Sequence, residues 1–466
     1  MRRQRKLFMV QGIVTSLVIT ACSSSPGPVV EPPKPAPASL EAPQTEPEKL
    51  EFSPACSQWD PSGLEWRELV DFSSNTVSDS SGVEVVLSRS SLPRAGATRY
   101  NTGIEICPGF LWIVTHAGES RFISLTDQTW SKGPTLETSG SIENIAASGV
   151  ESGGEVWGFR GSVASGDWLY LSDAVVDTQA KCIRVDVHRV AISGLLAKDN
   201  STTVVYESKP CVDYTSDRRA KTPIKIHMGG ALAYSAERDE LYVTMGDFHL
   251  GASRIKQAVS AGLEATELDY EILLDETAAL SAVVAISSPS TSPNARIFAK
   301  GQRNSLGMTV TSKGEIWLTD HGPGGGDELN EVLEGGNYGW PLTSQGQPYD
   351  RSSYPSDSNL LLAPWLDIYQ AQVPGAIGPK IFWSPSVAPS SLVQYSASSK
   401  AIPEWKGDLI FGTLVGQALI RVNVSGAQTL ERSRLEIGQR IRHVILTTEG
   451  SLALLTDSSM LITVGR

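Results

Sequence analysis

One kind of apolar segment recurs along the chain and limits its fold more than any other feature. Each copy is a short run of apolar or aromatic residues that closes on Thr or Ser, often followed by Asp. The copies are Leu111–His116, Trp168–Asp173, Leu241–Asp247, Ile316–Asp320, Leu409–Thr413 and Leu452–Asp457. Nearly continuous apolar character over such a run is typical of a strand that is buried on both faces.

The six copies predict an all-β fold, a six-bladed β-propeller over residues 55–466. Their first residues are 43 to 93 positions apart, which suits four-stranded blades with insertions in their loops. The alternative is a pair of β-sandwiches with similar strands, but no second linker divides residues 55–466. In a propeller, we expect the polar ends of the six strands to emerge at one rim.

The N-terminal residues predict export and lipid attachment. A basic run, Arg2 to Lys6, precedes an apolar stretch, Leu7 to Ile19, that is too short and interrupted to span a membrane. The tetrapeptide Ile19-Thr20-Ala21-Cys22 resembles a bacterial lipobox, in which the Cys thiol receives a diacylglycerol. The alternative is an ordinary signal peptide with a chance Cys.

The expected organisation is therefore a lipoprotein signal peptide at residues 1–21, a lipid-anchored Pro-rich linker at residues 22–50, and the propeller. Residue 23 is Ser and not Asp, which in lipoproteins of enteric bacteria implies passage to the outer membrane. The sequence predicts a location in the bacterial envelope, at the outer membrane and facing the periplasm. Contact with the membrane is expected through the N-terminal lipid only.

Net charge excludes two classes of partner. The chain has 39 Lys and Arg against 51 Asp and Glu, a net charge of −12. Removal of residues 1–21 takes four basic residues away and leaves 35 against 51, or −16. We expect no binding of nucleic acid or of an anionic membrane surface by a domain this acidic.

Four cysteines remain after lipidation, an even number that allows three pairings in an oxidising compartment. Cys182 opens one predicted strand and Cys211 closes the next, with a turn around residues 197–200. A hairpin that folds near its midpoint sets these two cysteines opposite each other. Elimination then pairs Cys56 with Cys107; the alternative is four buried free thiols.

Three neighbouring segments concentrate Gly, Asp, Glu and Asn. They are Lys300–Gly307, Asp320–Asn330 and Gly335–Pro341. Carboxylates and backbone carbonyls freed by Gly-rich turns are the ligands that Ca²⁺ prefers. The alternative is a set of turn-forming residues that end strands.

These segments resemble motifs of the glucose/sorbosone dehydrogenase family of quinoproteins, the soluble aldose sugar dehydrogenases that use pyrroloquinoline quinone (PQQ). Further matches are His227–Tyr234, Trp383–Ser390 and Trp405–Leu409. The matches run in family order from about residue 225 to 460, whereas residues 55–220 match only in their strand pattern. The resemblance implies a six-bladed propeller that transfers a hydride from C1 of a sugar to PQQ and passes electrons to an unidentified acceptor.

The resemblance also implies which residues bind the cofactors. Arg440 and Arg442 match an R-x-R motif that binds PQQ, and Ser386 matches a cofactor-binding hydroxyl. For the arginines, the alternative is a role as surface residues or as ion-pair partners of Glu436. Glu328 and the backbone carbonyl of Tyr338 match the calcium ligands of the family.

Two cations of the family pattern are absent from this sequence. The family's Arg in the H-G-P-R-G-G loop corresponds to Gly324, and a Lys that some members have corresponds to Val415. These differences predict weak binding of PQQ.

The catalytic base is not identified by these matches. The family is expected to keep a His in a segment that corresponds to residues 153–164, where Gly161 stands about in its place. His249 is a candidate substitute from another loop, and for His227 a structural role is the simpler interpretation. The alternative to a dehydrogenase is therefore a catalytically degenerate propeller that binds a carbohydrate or a protein partner.

Lipid attachment at Cys22 is testable by substitution. Cys22→Ala is expected to leave an unprocessed precursor or to release soluble protein, because the acceptor thiol is missing. Metabolic labelling with a fatty acid measures the outcome. Equal labelling of the variant and the parent would contradict the prediction.

Overall fold

The computed structural model describes residues 52–93, 99–138, 158–213, 227–248, 250, 271–346, 375–395, 401–424 and 429–466. The chain divides into two units, Met1–Glu46 and Pro47–Arg466, and every described residue belongs to the second. The predicted signal peptide, the linker and Cys22 lie outside the described residues. No helix in the described ranges has the length and apolar character needed to cross a membrane.

Six antiparallel sheets of four or five strands form the blades of a propeller, which confirms the predicted fold class. The innermost strand of each blade comes first in the following descriptions. Blade 1 contains β4 (Tyr100–Cys107), β5 (Phe110–Thr115), β6 (Glu119–Ser124), β7 (Thr129–Thr135) and β1 (Arg67–Glu68). Blade 2 contains β8 (Gly158–Ser165), β9 (Trp168–Asp177), β10 (Cys182–Ala191) and β11 (Thr203–Glu207), with β12 (Val212–Asp213) also paired to β10.

The next three blades are four-stranded. Blade 3 contains β13 (Gly229–Ser235), β14 (Glu240–Met245), β15 (Ala282–Ser287) and β16 (Asn294–Lys300). Blade 4 contains β17 (Ser305–Val310), β18 (Ile316–Asp320), β19 (Asp327–Val332) and β20 (Ile381–Trp383). Blade 5 contains β21 (Pro389–Gln394), β22 (Leu409–Thr413), β23 (Ala418–Asn423) and β24 (Leu430–Glu436).

Blade 6 joins the two ends of the described chain. It contains β25 (Ile441–Leu446), β26 (Leu452–Thr456), β27 (Met460–Gly465), β3 (Glu84–Ser91) and β2 (Val70–Ser78). β27 pairs with β3 from Met460 opposite Ser91 to Gly465 opposite Val86. The six innermost strands also contact one another in a closed ring, with β25 against β4.

Helices are few among the described residues. They are α1 (Ile192–Leu196), α2 (Glu271–Leu274) and the 3-10 turns Pro54–Ser57, Pro61–Gly63 and Pro403–Trp405. None of them separates two blades. The blades therefore pack directly on one another.

The core consists of six apolar clusters, one in each interface between neighbouring blades. β26 shows how one strand serves two clusters, because successive side chains point to opposite faces. Leu452 and Leu454 pack toward blade 5, whereas Ala453 and Leu455 pack toward blade 1. The six apolar copies in the sequence are the second strands of the six blades, and burial on both faces explains their continuous apolar character.

Antiparallel pairing places the start of each first strand beside the end of each second strand. Gly229 lies opposite Met245 in blade 3, Ser305 opposite Asp320 in blade 4 and Ile441 opposite Thr456 in blade 6. Residues just before a first strand and just after a second strand consequently meet at one end of the propeller axis. We call this end of the propeller the site end.

Two disulfides link Cys182 to Cys211 and Cys56 to Cys107. The first pair is the one that elimination leaves unassigned by register no longer, since the hairpin register predicts Cys182 with Cys211, and the second is the one that elimination leaves. β12 pairs with the start of β10, with Cys182 opposite Asp213, and this pairing brings Cys211 to the edge of blade 2. The second disulfide attaches the segment before β1 to the end of β4.

Removal of the Cys182–Cys211 disulfide should lower the free energy of unfolding by ~3–4 kcal/mol, the value that the chain-entropy model gives for a loop of this length. The double variant Cys182→Ala/Cys211→Ala, compared with the parent by denaturant titration, measures this effect. Peptide mapping without reduction provides the control for pairing. Recovery of Cys182 joined to Cys56 or Cys107 would contradict the assignment.

Candidate functional site

A histidine and an aspartate from the two strand ends of blade 3 form a hydrogen-bonded pair at the site end. His227 precedes β13 and Asp247 follows β14, and the distance from Nδ1 to Oδ1 is 2.9 Å. The His227 side chain keeps 16% of its exposure, whereas the Asp247 side chain keeps none. Asp247 is also held by the indole N–H of Trp340, which donates to Oδ2 at 3.1 Å. A ligand can therefore reach the imidazole but not the carboxylate.

The environment of His227 favours a neutral ring with its proton on Nδ1. Nδ1–H donates to Asp247, and Nε2 faces Nη2 of Arg303 at 3.4 Å. Because a guanidinium group only donates, Nε2 must present its lone pair. Burial and the charge of Arg303 lower the pKa of His227 below its usual value, although Asp247 opposes this shift. The ring therefore has the protonation state and orientation of a general base.

Arg303 is fixed by the loop that follows β18 in blade 4. Its Nη1 donates to the carbonyl of His321 at 3.0 Å, and its guanidinium lies 5.3 Å from the centre of the Trp340 ring. The backbone N–H groups of Arg303 and Asn304 donate to the carboxylate of Asp320 at 2.7 and 2.6 Å. These hydrogen bonds hold the start of β17 against the end of β18, close to His227.

A second polar cluster lies at the strand ends of blade 6. Asp457, after β26, accepts from Arg440 at 2.8 Å and from Arg442 at 2.9 and 3.0 Å. Arg99, which precedes β4, approaches the same carboxylate at 3.5 Å. The ion-pair partner of the predicted arginines is therefore Asp457, whereas the sequence suggested Glu436.

This arginine cluster fits the chemistry of PQQ. Three guanidinium groups gather around one carboxylate, which leaves positive charge for an anionic ligand. PQQ carries three carboxylates, and the planar guanidinium fork is the side chain best suited to them. Arg440 and Arg442 are the residues that would hold such a group.

Arg160, from blade 2, lies between the two clusters. It lies on β8, and its Nε donates to the carbonyl of Gly229 at 2.6 Å, two residues beyond His227. A recess of about 30 Å³ separates it from the arginine cluster and is lined by Asn101, Arg160, Gly229, Gly230, Ala231, Leu306, Arg442 and His443. Further along the axis, the inner strands enclose a channel of about 320 Å³.

Ser386 binds Asp327 at the start of β19 in blade 4. Its hydroxyl donates to Oδ2 of Asp327 at 2.7 Å, and the same oxygen accepts from the backbone N–H of Val387 and of Ala388. Asp327 thereby joins the loop after β18 to the start of blade 5. The hydroxyl proton of Ser386 is therefore not available for donation to a cofactor.

The two positions where the family pattern has cations are Gly324 and Val415 in this chain. Gly324 has φ +53°, a left-handed conformation that suits glycine. Val415 is 58% exposed and donates its backbone N–H to Val387. Neither position gives the site a charge.

Glu328 has surroundings that suit a hard cation. Its carboxyl accepts from Asn330 at 3.0 Å and from the backbone N–H of Gln345. Burial and the nearby carboxylates of Asp320 and Asp327 raise the pKa of Glu328 to about 8. A divalent cation would compensate this buried group of acids.

Tyr338 contributes no side-chain ligand to that position. Its hydroxyl donates to the carbonyl of Glu331 at 2.6 Å and accepts from the N–H of Leu333, so only its backbone carbonyl could join Glu328. Within the described ranges, no group of three or more His, Cys, Asp and Glu side chains is arranged around a metal position. A cation at Glu328 would therefore need backbone carbonyls and water as further ligands.

Gly161 is a poor place for a catalytic histidine. It lies inside β8, where a Cβ would come within 2.3 Å of the carbonyl oxygen of Gly230. The first strands of blades 2 and 3 approach too closely at this point for any side chain. Residues 153–157 of the same segment, and His249, lie outside the described residues.

The sequence motifs do not predict the His227–Asp247 pair or the position of Arg160. The signal for the pair was present, because His227 stands just before the first strand of a blade and Asp247 just after the second. Antiparallel pairing forces such residues together, as the register of Gly229 opposite Met245 shows. Arg160 has no comparable signal, since its neighbours come from four other blades.

Comparison with known proteins places these features in a family. The family model for glucose/sorbosone dehydrogenase matches residues 158–462, more than half of the chain. Aldose sugar dehydrogenase YliI of Escherichia coli is 34% identical over 168 residues, which are 35% of this chain and 42% of that protein. Quinoprotein glucose dehydrogenase B of Acinetobacter calcoaceticus is 24% identical over 289 residues, 50% of this chain and 60% of that protein.

A crystal structure of glucose dehydrogenase is 20% identical with a TM-score of 0.60, and the match covers 84% of this chain and 99% of that one. This similarity shows the fold. The chain spans less than two thirds of the length of the curated relatives that it matches. On the extent of the family match, the chain belongs to the glucose/sorbosone dehydrogenase family.

Proposed function

We propose that this protein is a PQQ-dependent aldose dehydrogenase that removes a hydride from C1 of a sugar. The observation that carries the proposal is the His227–Asp247 pair, with its 2.9 Å hydrogen bond and its reachable imidazole. A catalytically degenerate propeller would have no need to keep a buried carboxylate that orients an accessible histidine. The names of the family and of its relatives, aldose sugar dehydrogenase and quinoprotein glucose dehydrogenase, support the substrate class.

In this proposal, His227 accepts the proton of the sugar C1 hydroxyl on Nε2 as the hydride leaves C1. The sugar carbon is oxidised, and its C–O bond becomes a carbonyl. Asp247 stabilises the imidazolium that forms and prevents the ring from turning. Arg303 donates toward the same region and can hold the sugar oxygen or share Nε2 with it. PQQ, when bound, would supply the two-electron acceptor for the hydride.

Arg440 and Arg442 would hold the carboxylates of the cofactor at the opposite side of the site. Their shared partner, Asp457, fixes both guanidinium groups in one place. Because Gly324 and Val415 add no charge, fewer cations are available than the family pattern provides. Reconstitution should therefore require more PQQ than a protein with the complete pattern.

Calcium at Glu328 is a separate part of the proposal. The buried carboxyl and its acidic neighbours support a cation there, with the backbone carbonyl of Tyr338 as a further ligand. The ion would hold the loop after β18 in place beside Arg303. Its role would be to position residues at the site end.

The cellular setting in the proposal follows from the N-terminal residues. Lipidation at Cys22 would anchor the propeller through the Pro-rich linker, in the bacterial envelope and at the outer membrane. The electron acceptor and any partner protein would then be components of the periplasm. Cys22→Ala tests this part independently of catalysis.

Substitution of the base tests the catalytic proposal. His227→Asn should lower kcat/KM with an aldose by ~10²–10⁴-fold, the usual contribution of a general base. PQQ-reconstituted protein and a reducible dye provide the assay. His188→Gln is the matched control, because His188 is another buried histidine near an aspartate, Nε2 to Asp173 Oδ2 at 3.7 Å, on the third strand of blade 2. Unaltered dye reduction by the His227 variant would contradict the assignment.

The pH profile gives a second measurement on the parent. Because the pKa of His227 is lowered from its usual value of 6.5, the imidazole stays neutral when the pH falls to 6.5. The rate should therefore stay constant as the pH falls to 6.5 and decline only at lower pH, when Nε2 becomes protonated. Absence of aldose oxidation at every pH, in protein shown to bind PQQ, would favour the alternative of a binding module.

Removal of calcium should lower the melting temperature of the parent, since a ligand that binds only the folded state stabilises it. Glu328→Gln should abolish this effect of a chelator and keep the shape of the side chain. Differential scanning calorimetry with and without chelator measures both proteins. If the variant loses as much stability on chelation as the parent, calcium does not bind at Glu328.

A further inference from the structure

Arg160 occupies the inner end of the site, where neither the sequence motifs nor the proposed mechanism requires a charge. Its Nε donates to the carbonyl of Gly229. Its stem packs on Gly230, where a Cβ would lie 3.0 Å from Cβ of Arg160. Gly230 has φ +97°, so both the backbone and the arginine stem require glycine there. The start of blade 3 is thus shaped around this side chain.

The guanidinium lies at a recess with room for a ligand group. The recess of about 30 Å³ is lined by Asn101, Arg160, Gly230 and Arg442, among others. This volume is sufficient for one or two water molecules, and therefore for a group the size of a carboxylate. Asn101 is only 6% exposed and its Oδ1 has no hydrogen-bond partner, which leaves an acceptor for a water molecule beside such a group.

Like charges meet at this recess. Burial, together with Arg442 and Arg99, lowers the pKa of Arg160 to about 9. Asp457 already lies beside Arg442 and Arg99, and an anion between Arg160 and Arg442 would reduce the repulsion that remains between these two partly buried guanidinium groups. Arrangements of this kind are characteristic of ligand sites.

We infer that Arg160 and Arg442 together bind one carboxylate group of the ligand, and that Arg160 replaces the cations missing at Gly324 and Val415. The inference rests on the proposed function, because it assigns a further residue to the same site. The carboxylate could belong to PQQ or to an acidic sugar. Both sources share the chemistry that a pair of guanidinium forks recognises.

Binding of PQQ to the detergent-solubilised full-length protein, followed by quenching of tryptophan fluorescence, is the first measurement. Arg160→Met keeps an unbranched stem against Gly230 and removes the charge, and should weaken PQQ binding at least tenfold. Arg160→Lys keeps the charge without the fork and should recover part of the loss. Arg89→Met, which removes a half-buried arginine on β3 that donates to Asn75, is the matched control and should bind PQQ as the parent does.

The trimethyl ester of PQQ separates a charge effect from a general disturbance of the site. Arg160→Met should weaken binding of the ester much less than binding of PQQ, because the ester has no carboxylate charge. Equal weakening for both molecules would mean that Arg160 only shapes the site, and would overturn the inference. If Arg160→Met does not fold, Arg160→Lys serves as the test variant. Its affinity for PQQ should fall at least threefold, whereas its affinity for the ester should change little.

Thermal stabilisation by galacturonate and by galactose distinguishes the two sources, because these sugars differ in a carboxylate. If Arg160→Met keeps its affinity for PQQ but loses the stabilisation by galacturonate, the recess binds an acidic sugar. If the variant changes neither measurement, the inference is wrong. If the parent does not bind PQQ, the proposed function fails, and the comparison of galacturonate with galactose still decides the role of Arg160.

Discussion

The pairing of β27 with β3 is the contact on which the rest of the propeller depends. Six blades bury both of their faces only when the ring is closed, and blade 6 is built from the two ends of the described chain. Closing a loop of this length costs on the order of 5 kcal/mol in chain entropy. The backbone ladder from Met460 to Gly465 and the apolar clusters on either side of blade 6 offset that cost. Every blade then has a neighbouring blade on both of its faces.

Ring closure also explains why the polar side chains gather at one end. Each blade begins its first strand and ends its second strand at the same level, so the residues that flank these strands converge on the axis. Blades 3 and 6 use this arrangement in the same way, with His227 or Arg442 at a first strand and Asp247 or Asp457 after a second. The two pairs differ in exposure and in charge. One presents an accessible neutral imidazole and the other a group of fixed cations.

The sequence predicts most of the fold because burial on both faces leaves a direct mark on strand composition. It predicts the Cys182–Cys211 disulfide because register within one hairpin is a local property. The site is less predictable, since its distances join different blades. Ser386 matches a cofactor motif but is held by Asp327, and Arg160 is recognisable only once β8 is seen beside Gly229. His227 is an intermediate case. Strand register predicts that it lies beside Asp247, whereas its residue type alone does not.

The position of β27 has a consequence for synthesis of the protein. A ribosome completes β2 and β3 before the strands of the other five blades and before β27, so one edge of β3 stays open while those strands are made. An open strand edge of this kind can pair with other chains and is a common start for aggregation. Loss of β27 would make this condition permanent, since blade 6 would lack its third strand. The open edge of β3 should therefore need protection from other chains until β27 pairs with it.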